Sequence, residues 1–362
     1  MFFFTNFFGG ISAANQIRRL VLGDKRLLVY PIIMVVIAAL LAVAVGAVSF
    51  IVVSALTGAT VSLASGINQT PWIITLIVTA FLVYVALYFA ASYFTTAMLI
   101  AFKSYLRGNK MSFGESLGQA NTYITLLFEW ALLFALITVI IDLVEYAIKS
   151  ALSRYGIRGN LISGIITGVG SIALSAISMF SLPVIIDNRT GPLATLRKSA
   201  TFIVKNFGET FGGLLYSELI QYIFGTVGGI IIFVGLITMP QVGAVGLVFL
   251  MPVLLFIVVL SWSEVGAFII LAATLIAAFS APNYVTPLVV LMVGAGFAIV
   301  TLGHLLKYVL FACFKLIVYE YKTSGIVPKG IDAETLDSAV KTNQNAPRNT
   351  QGGGIGGGPG EF

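Results

Sequence analysis

Charge is scarce in this chain. Asp, Glu, Lys and Arg together supply 9% of its 362 residues, where an average soluble domain carries roughly 25%. A water-soluble protein could not cover its surface with so few. Cysteine and histidine are scarcer still. The single cysteine, Cys313, excludes an intramolecular disulfide, and with the single histidine, His304, it excludes a metal site built mainly from those two residue types. No catalytic, cofactor-binding or metal-ligating set is therefore expected. The net charge of +6 is modest. Its basic residues are scattered between apolar runs and never form the dense stripe that nucleic acid requires, so nucleic acid is excluded as a partner.

Apolar sequence fills the space that charge leaves. Hydrophobic residues make up 59% of the chain, and the mean hydropathy is +1.03. Uncharged runs recur between residues 27 and 322, each long enough to cross a hydrocarbon core of about 30 Å at about 1.5 Å per residue. The expected fold class is all-α, a polytopic transmembrane helical bundle with amphipathic interfacial helices. Three regions follow: an N-terminal interfacial segment (1–26), a transmembrane helical domain (27–322) and a flexible Gly-rich cytoplasmic tail (323–362). In the first, Phe2, Phe3, Phe4, Phe7 and Phe8 precede the basic Arg18, Arg19, Lys25 and Arg26. This reverses the charge order of a signal peptide and predicts an uncleaved helix along the membrane surface.

Spans are expected at about 27–56, 72–102, 122–148, 161–186, 211–236, 242–260, 265–280 and 285–310. The pair at 242–280 has two readings, two short full spans or a re-entrant hairpin, which gives eight crossings or six. Between 186 and 211 an amphipathic helix is predicted. Pro192 sits at its start, Leu193, Leu196, Ala200, Ile203, Val204 and Phe207 on one face, and the basic Arg197, Lys198 and Lys205 on the other, toward lipid headgroups. Basic residues cluster before the first span, in the second and fourth loops and in the tail. The positive-inside rule then gives a multi-pass protein of the cell membrane with both termini cytoplasmic, although Lys149, Arg154 and Arg158 fall in an outer loop on that scheme.

Several motifs resemble a known family. Leu27-Leu28-Val29-Tyr30-Pro31, the stretch from Ser112-Phe113 to Trp130, and Leu182-Pro183-Val184-Ile185 followed by Gly191-Pro192, Ser199 and Phe207-Gly208-Glu209 are similar to an uncharacterised family of prokaryotic, largely archaeal, multi-span membrane proteins. Tyr319-Glu320-Tyr321 fits it too. The resemblance covers about residues 27–321 and implies six spans with interfacial helices after the second and fourth. It carries no functional residues with it.

Isolated polar residues inside apolar runs are the candidate functional positions. Glu129, Glu218 and Glu264 are single carboxylates within or beside spans, and His304 and Lys307 lie one helical turn apart, with Lys315 two turns further on. Charges at membrane depth are expensive and mark either interhelical contacts or ion paths. Both readings stay open, as does a third in which Lys307 and Lys315 snorkel to headgroups. Gly164 with Gly168, and Gly225 with Gly229, form small-xxx-small pairs suited to helix packing. Gly114-Glu115-Ser116-Leu117-Gly118 matches the Gly-x-Ser-x-Gly pattern of a hydrolase elbow, but no strand pattern precedes it and no histidine lies near. The expected partners are membrane lipids and either another membrane protein or further copies of the chain. The expected role is that of a non-catalytic structural or accessory component of a membrane assembly, with transport through intramembrane carboxylates as the alternative.

Overall fold

The computed structural model describes residues 2–57, 61–62, 66–67, 69–154, 174, 178–205, 207–237, 287–325, 327 and 331. It is all-helical apart from a minimal antiparallel ribbon, β1 (Val61–Ser62) with β2 (Gly66–Ile67), in which Val61 faces Ile67 and Ser62 faces Gly66. The helices are α1 (Phe2–Gly23), α2 (Val29–Thr57), α3 (Gln69–Leu106), α4 (Phe113–Ala120), α5 (Ile124–Arg154), α6 (Ser181–Asn188), α7 (Pro192–Lys205), α8 (Phe207–Ile237) and α9 (Pro287–Ser324). Among the described residues five helices are long and apolar enough to cross a membrane. They cover Lys25–Leu56, Trp72–Leu106, Ile124–Ile148, Gly212–Gly235 and Pro287–Ser324. These match the expected first, second, third, fifth and last spans. Most of the expected span at 161–186, all of 242–280 and residues 332–362 lie outside the described residues.

Two helices run beyond the expected limits. α3 has 38 residues and holds Lys103 in its last turn, where the sequence pattern placed a polar loop. α9 also has 38 residues, about 57 Å at 1.5 Å per residue and well over the hydrocarbon thickness. One end of α9 must therefore leave the hydrocarbon or the helix must tilt. Its second half contains nearly all of its large buried side chains, including Phe314, Leu316 and Ile317.

The core gathers around that half of α9. Met98, Leu99 and Phe102 of α3, Leu127 and Trp130 of α5, Phe180 to Ile186 at α6, and Ile17 of α1 pack into one cluster with Phe314 and Ile317. On α1 the buried residues Ala13, Ala14, Ile17 and Val21 recur at helical spacing, and the helix packs chiefly along α8, where the Tyr216 hydroxyl donates to Asn15 Oδ1 at 3.0 Å. By contrast α2 and the first half of α3 present open apolar faces, such as Val43 at 72% exposure.

The sequence pattern located α7 correctly, with Pro192 as its first residue. Its inward side is made of Thr195, Ser199 and Ile203, while Leu193 and Val204 of the expected apolar face are exposed. The inward hydroxyls are used. Ser199 Oγ accepts from the Phe180 amide at 3.1 Å, and Thr195 Oγ1 donates to the Thr190 carbonyl at 3.0 Å. This polar stripe anchors α7 to the segments flanking both ends of α6, a role that an amphipathicity pattern cannot register.

Candidate functional site

Two consecutive described helices, α8 and α9, run antiparallel and touch backbone to backbone. A Cβ added to Gly228 would lie 2.6 Å from the Gly296 carbonyl oxygen, and one added to Gly296 would lie 2.6 Å from the Gly228 carbonyl oxygen. Gly235 faces Met292, while Gly303 receives Phe224 and Gly213 receives the ring of Phe314. Gly228 and Gly235 stand seven residues apart, and so do Gly296 and Gly303. Each pair repeats on one helix face every two turns. Glycine is required here because any side chain would push the helices apart.

This close approach brings polar side chains of α8 and α9 together within both apolar spans. Lys307 Nζ lies 2.7 Å from Glu218 Oε1 and donates to Gln221 Oε1 at 2.5 Å. The Gln221 amide nitrogen then meets His304 Nε2 at 2.8 Å, and His304 Nδ1 meets the Val300 carbonyl oxygen at 2.9 Å. A carbonyl only accepts, so Nδ1 carries the hydrogen and Nε2 is the acceptor for the Gln221 amide. The same assignment has Gln221 Oε1 accept from the Lys307 ammonium. Four polar side chains, Glu218, Lys307, Gln221 and His304, are thus linked in one chain that ends on the Val300 carbonyl. Gln221 and His304 are buried, at 7% and 8% exposure.

The sequence singled out Glu218, His304 and Lys307, and the fold unites them. It did not mark Gln221, the residue that connects the lysine to the histidine. Gln221 lies three residues from Glu218, one helical turn, and that spacing on an otherwise apolar helix was the available signal. Glu129 stands elsewhere, exposed on α5, and Glu264 lies outside the described residues. Gly225 and Gly229 are buried in α8, while Gly164 and Gly168 lie outside the described residues.

A second polar centre ties the ends of three helices and was not foreseen. Lys103 Nζ is 2.6 Å from Asp187 Oδ1 of α6 and 2.6 Å from Glu320 Oε1 of α9. Next to it Asn188 donates to the Tyr319 hydroxyl at 2.8 Å and accepts from Lys198 Nζ at 3.2 Å. Of the basic residues expected on α7, Lys198 therefore turns toward this centre, whereas Arg197 and Lys205 are exposed. Arg189, in the left-handed region at φ 48°, ends α6 and lays its guanidinium 4.9 Å from the centre of the Tyr123 ring. In sequence Lys103, Asp187 and Glu320 each sit at the edge of an apolar run, where a charge reads as an ordinary boundary.

Ser116, the centre of the Gly-x-Ser-x-Gly match, is fully buried on α4. It donates to the Phe113 carbonyl at 2.7 Å, so the Tyr30 hydroxyl 2.6 Å away is its donor. The first bond is internal to α4 and the second ties α4 to the start of α2, and the short helix is started by a capping box between Ser112 and Glu115. No group of three or more metal-ligating side chains occurs among the described residues. Comparison with protein families, curated proteins and solved structures returned no match for this chain.

Proposed function

We propose that this chain is an integral membrane protein with a non-catalytic, structural or accessory role in a membrane assembly. The observation that supports this reading is the closure of the polar network between α8 and α9. Glu218 is neutralised by Lys307, and both nitrogens of His304 and the amide of Gln221 are committed to neighbours within the same helix pair. A network so paired contributes orientation between the two helices. The open apolar faces of α2 and α5 supply surface for lipid and for a protein partner. Extraction in a mild detergent tests the proposal. Stable co-purification with another protein or with further copies of the chain is expected, and a lone monodisperse species in every detergent tried would remove it.

A transport role is the second reading, favoured by the position of the Glu218–Lys307–Gln221–His304 chain inside two spans. Flux in proteoliposomes that is abolished by Glu218→Gln would establish it. The distribution of lysine and arginine places both termini in the cytoplasm in this proposal, and protease accessibility of terminal tags in intact cells would check that. Further spans within 155–180 and 238–286 belong to the same proposal, as does kinship with the uncharacterised prokaryotic family that the motifs resemble.

A further inference from the structure

The boundary between the first two spans holds a small cavity with two exposed cations on its lining. A cavity of about 130 Å³ opens where α2 begins and α3 ends, below the roughly 300 Å³ of a site for a drug-sized molecule and suited to a small polar headgroup. Arg26 and Lys110 line it with Asp24 and Tyr105, and Leu27, Met111 and others form its apolar wall. The two cations come from different elements. Arg26 sits in the 3₁₀ turn Lys25–Leu28 that leads into α2, capped by Asp24, whose Oδ1 accepts from the Arg26 amide at 3.2 Å. Lys110 follows a tight turn through Gly108 at φ 86°, where the Gly108 amide donates to the Tyr105 carbonyl at 2.9 Å and the Asn109 amide to the Ser104 carbonyl at 3.0 Å. A left-handed glycine is the usual way to end a helix and redirect the chain, and here the redirected chain brings Lys110 to the cavity that Arg26 also lines. Neither cation forms an ion pair with the described residues.

We infer that this cavity binds the phosphodiester headgroup of a membrane glycerophospholipid. Three features select that ligand. The site straddles the ends of two spans, at the depth where lipid phosphates lie. Its charge is one positive unit, from Arg26 and Lys110 against Asp24, which a phosphodiester with its single negative charge balances. Arg and Lys are also the residues that bind phosphate best, one through a planar fork and the other as a point charge. The apolar wall then continues away from the cavity. Val29 lines it, and Ile32, Val36, Leu40 and Val43 carry the same face of α2 onward, all of them between 42% and 72% exposed. Their spacing of three or four residues makes an uninterrupted track for an acyl chain. Free phosphate would leave that track unused. The inference needs the membrane reading, and it holds whether the chain is a structural component or a transporter.

Native mass spectrometry of the delipidated full-length protein, titrated with dioleoylphosphatidylglycerol in detergent, tests the site. One lipid is expected to be retained, with dioleoylglycerol, which lacks the phosphate, not retained. Arg26→Ala with Lys110→Ala should weaken retention by roughly tenfold or more, because both charge-assisted contacts to the phosphate are then lost. Lys110→Ala alone, in an exposed loop, should give a smaller loss and serves if the double variant does not fold. Asp24→Asn keeps the cap acceptor and should strengthen retention. Arg197→Ala with Lys205→Ala should leave it unchanged. Equal retention of dioleoylglycerol, or an equal loss from the α7 pair, would overturn the proposal. Displacement of the lipid by inorganic phosphate at comparable concentration would overturn the lipid assignment.

Discussion

Lys307 on α9 stands between two acceptors of α8, 2.7 Å from Glu218 Oε1 and 2.5 Å from Gln221 Oε1. This fixes the register of two helices whose backbones also touch at Gly228 and Gly296. The polar contact and the glycine contact are alternatives in chemistry but act together in geometry. Small residues allow the approach, and the ion pair selects one sliding position among those that small residues permit.

Removing one partner of that pair leaves a charge in an apolar setting. Glu218→Gln or Lys307→Met alone should lower stability in detergent by about 1–3 kcal/mol, reduced from the buried-pair range because both side chains are partly exposed. The double variant should recover much of the loss, since no charge is then stranded. A double-mutant cycle on thermal unfolding checks this. Strictly additive losses would show that the two side chains do not interact.

The glycine contact makes a sharper contrast. Gly296→Leu drives a side chain against the Gly228 carbonyl and Ile232, whereas at Gly294, two residues away, an added Cβ meets nothing within 4 Å. Gly228→Leu and Gly296→Leu should therefore each cost several kcal/mol, in the range of overpacking and beyond. Gly294→Ala should be neutral or stabilising by up to about 1 kcal/mol through helix propensity. Melting temperatures of the three variants in one detergent would test it, and equal effects at Gly294 and Gly296 would contradict the observed contact.

The sequence announced the lipid-compatible helices well, because hydropathy depends only on local composition, and the runs at α2, α3, α5, α8 and α9 are long. Pro192 likewise marked the start of α7 through a rule local to one residue. Pairings were harder. Glu218 and Lys307 are 89 positions apart, and nothing in either apolar run says which other run it faces. The α8–α9 glycine contact was hidden for a related reason. A four-residue spacing drew attention to Gly225 and Gly229, whereas the antiparallel contact repeats every seven residues, at Gly228 with Gly235 and at Gly296 with Gly303. Lys103 was assigned to a loop because a lysine normally ends an apolar run. Its two carboxylate partners, which let α3 continue, come from distant segments.

That three-residue clamp yields a further prediction. Lys103 is neutralised by Asp187 and Glu320 together, and Glu320 is only 8% exposed. Lys103→Met leaves two carboxylates facing each other and should be more damaging than Asp187→Asn, which leaves one intact pair. Losses of about 2–4 and about 1 kcal/mol are expected. Limited proteolysis between α6 and α7, near Thr190, would report loosening of the clamp, and an Asp187→Asn variant cleaved faster than Lys103→Met would refute the ordering.

Glu115 provides a pH-dependent test away from the spans. Its carboxylate accepts from the Ser112 backbone amide at 2.7 Å while the Ser112 hydroxyl accepts from the Glu115 amide at 3.3 Å. The hydrogen bond from the Ser112 backbone, aided by the Ser112 side chain, holds the Glu115 carboxyl below its usual range. A carboxyl depressed on folding stabilises the native state fully above its unfolded value and loses that contribution as pH falls through the folded value. The cap on α4 should therefore be intact at neutral pH and weaken only at pH below the ordinary glutamate range. Ser112→Ala should lower stability at neutral pH by about 1 kcal/mol. Glu115→Gln, which can still accept from the Ser112 amide, should cost less and should flatten the acid limb. Amide hydrogen exchange at Glu115 and Ser116, followed as a function of pH in wild type and in both variants, measures this directly. An acid limb that is unaltered in Glu115→Gln would mean that the loss of protection on acidification comes from another carboxylate.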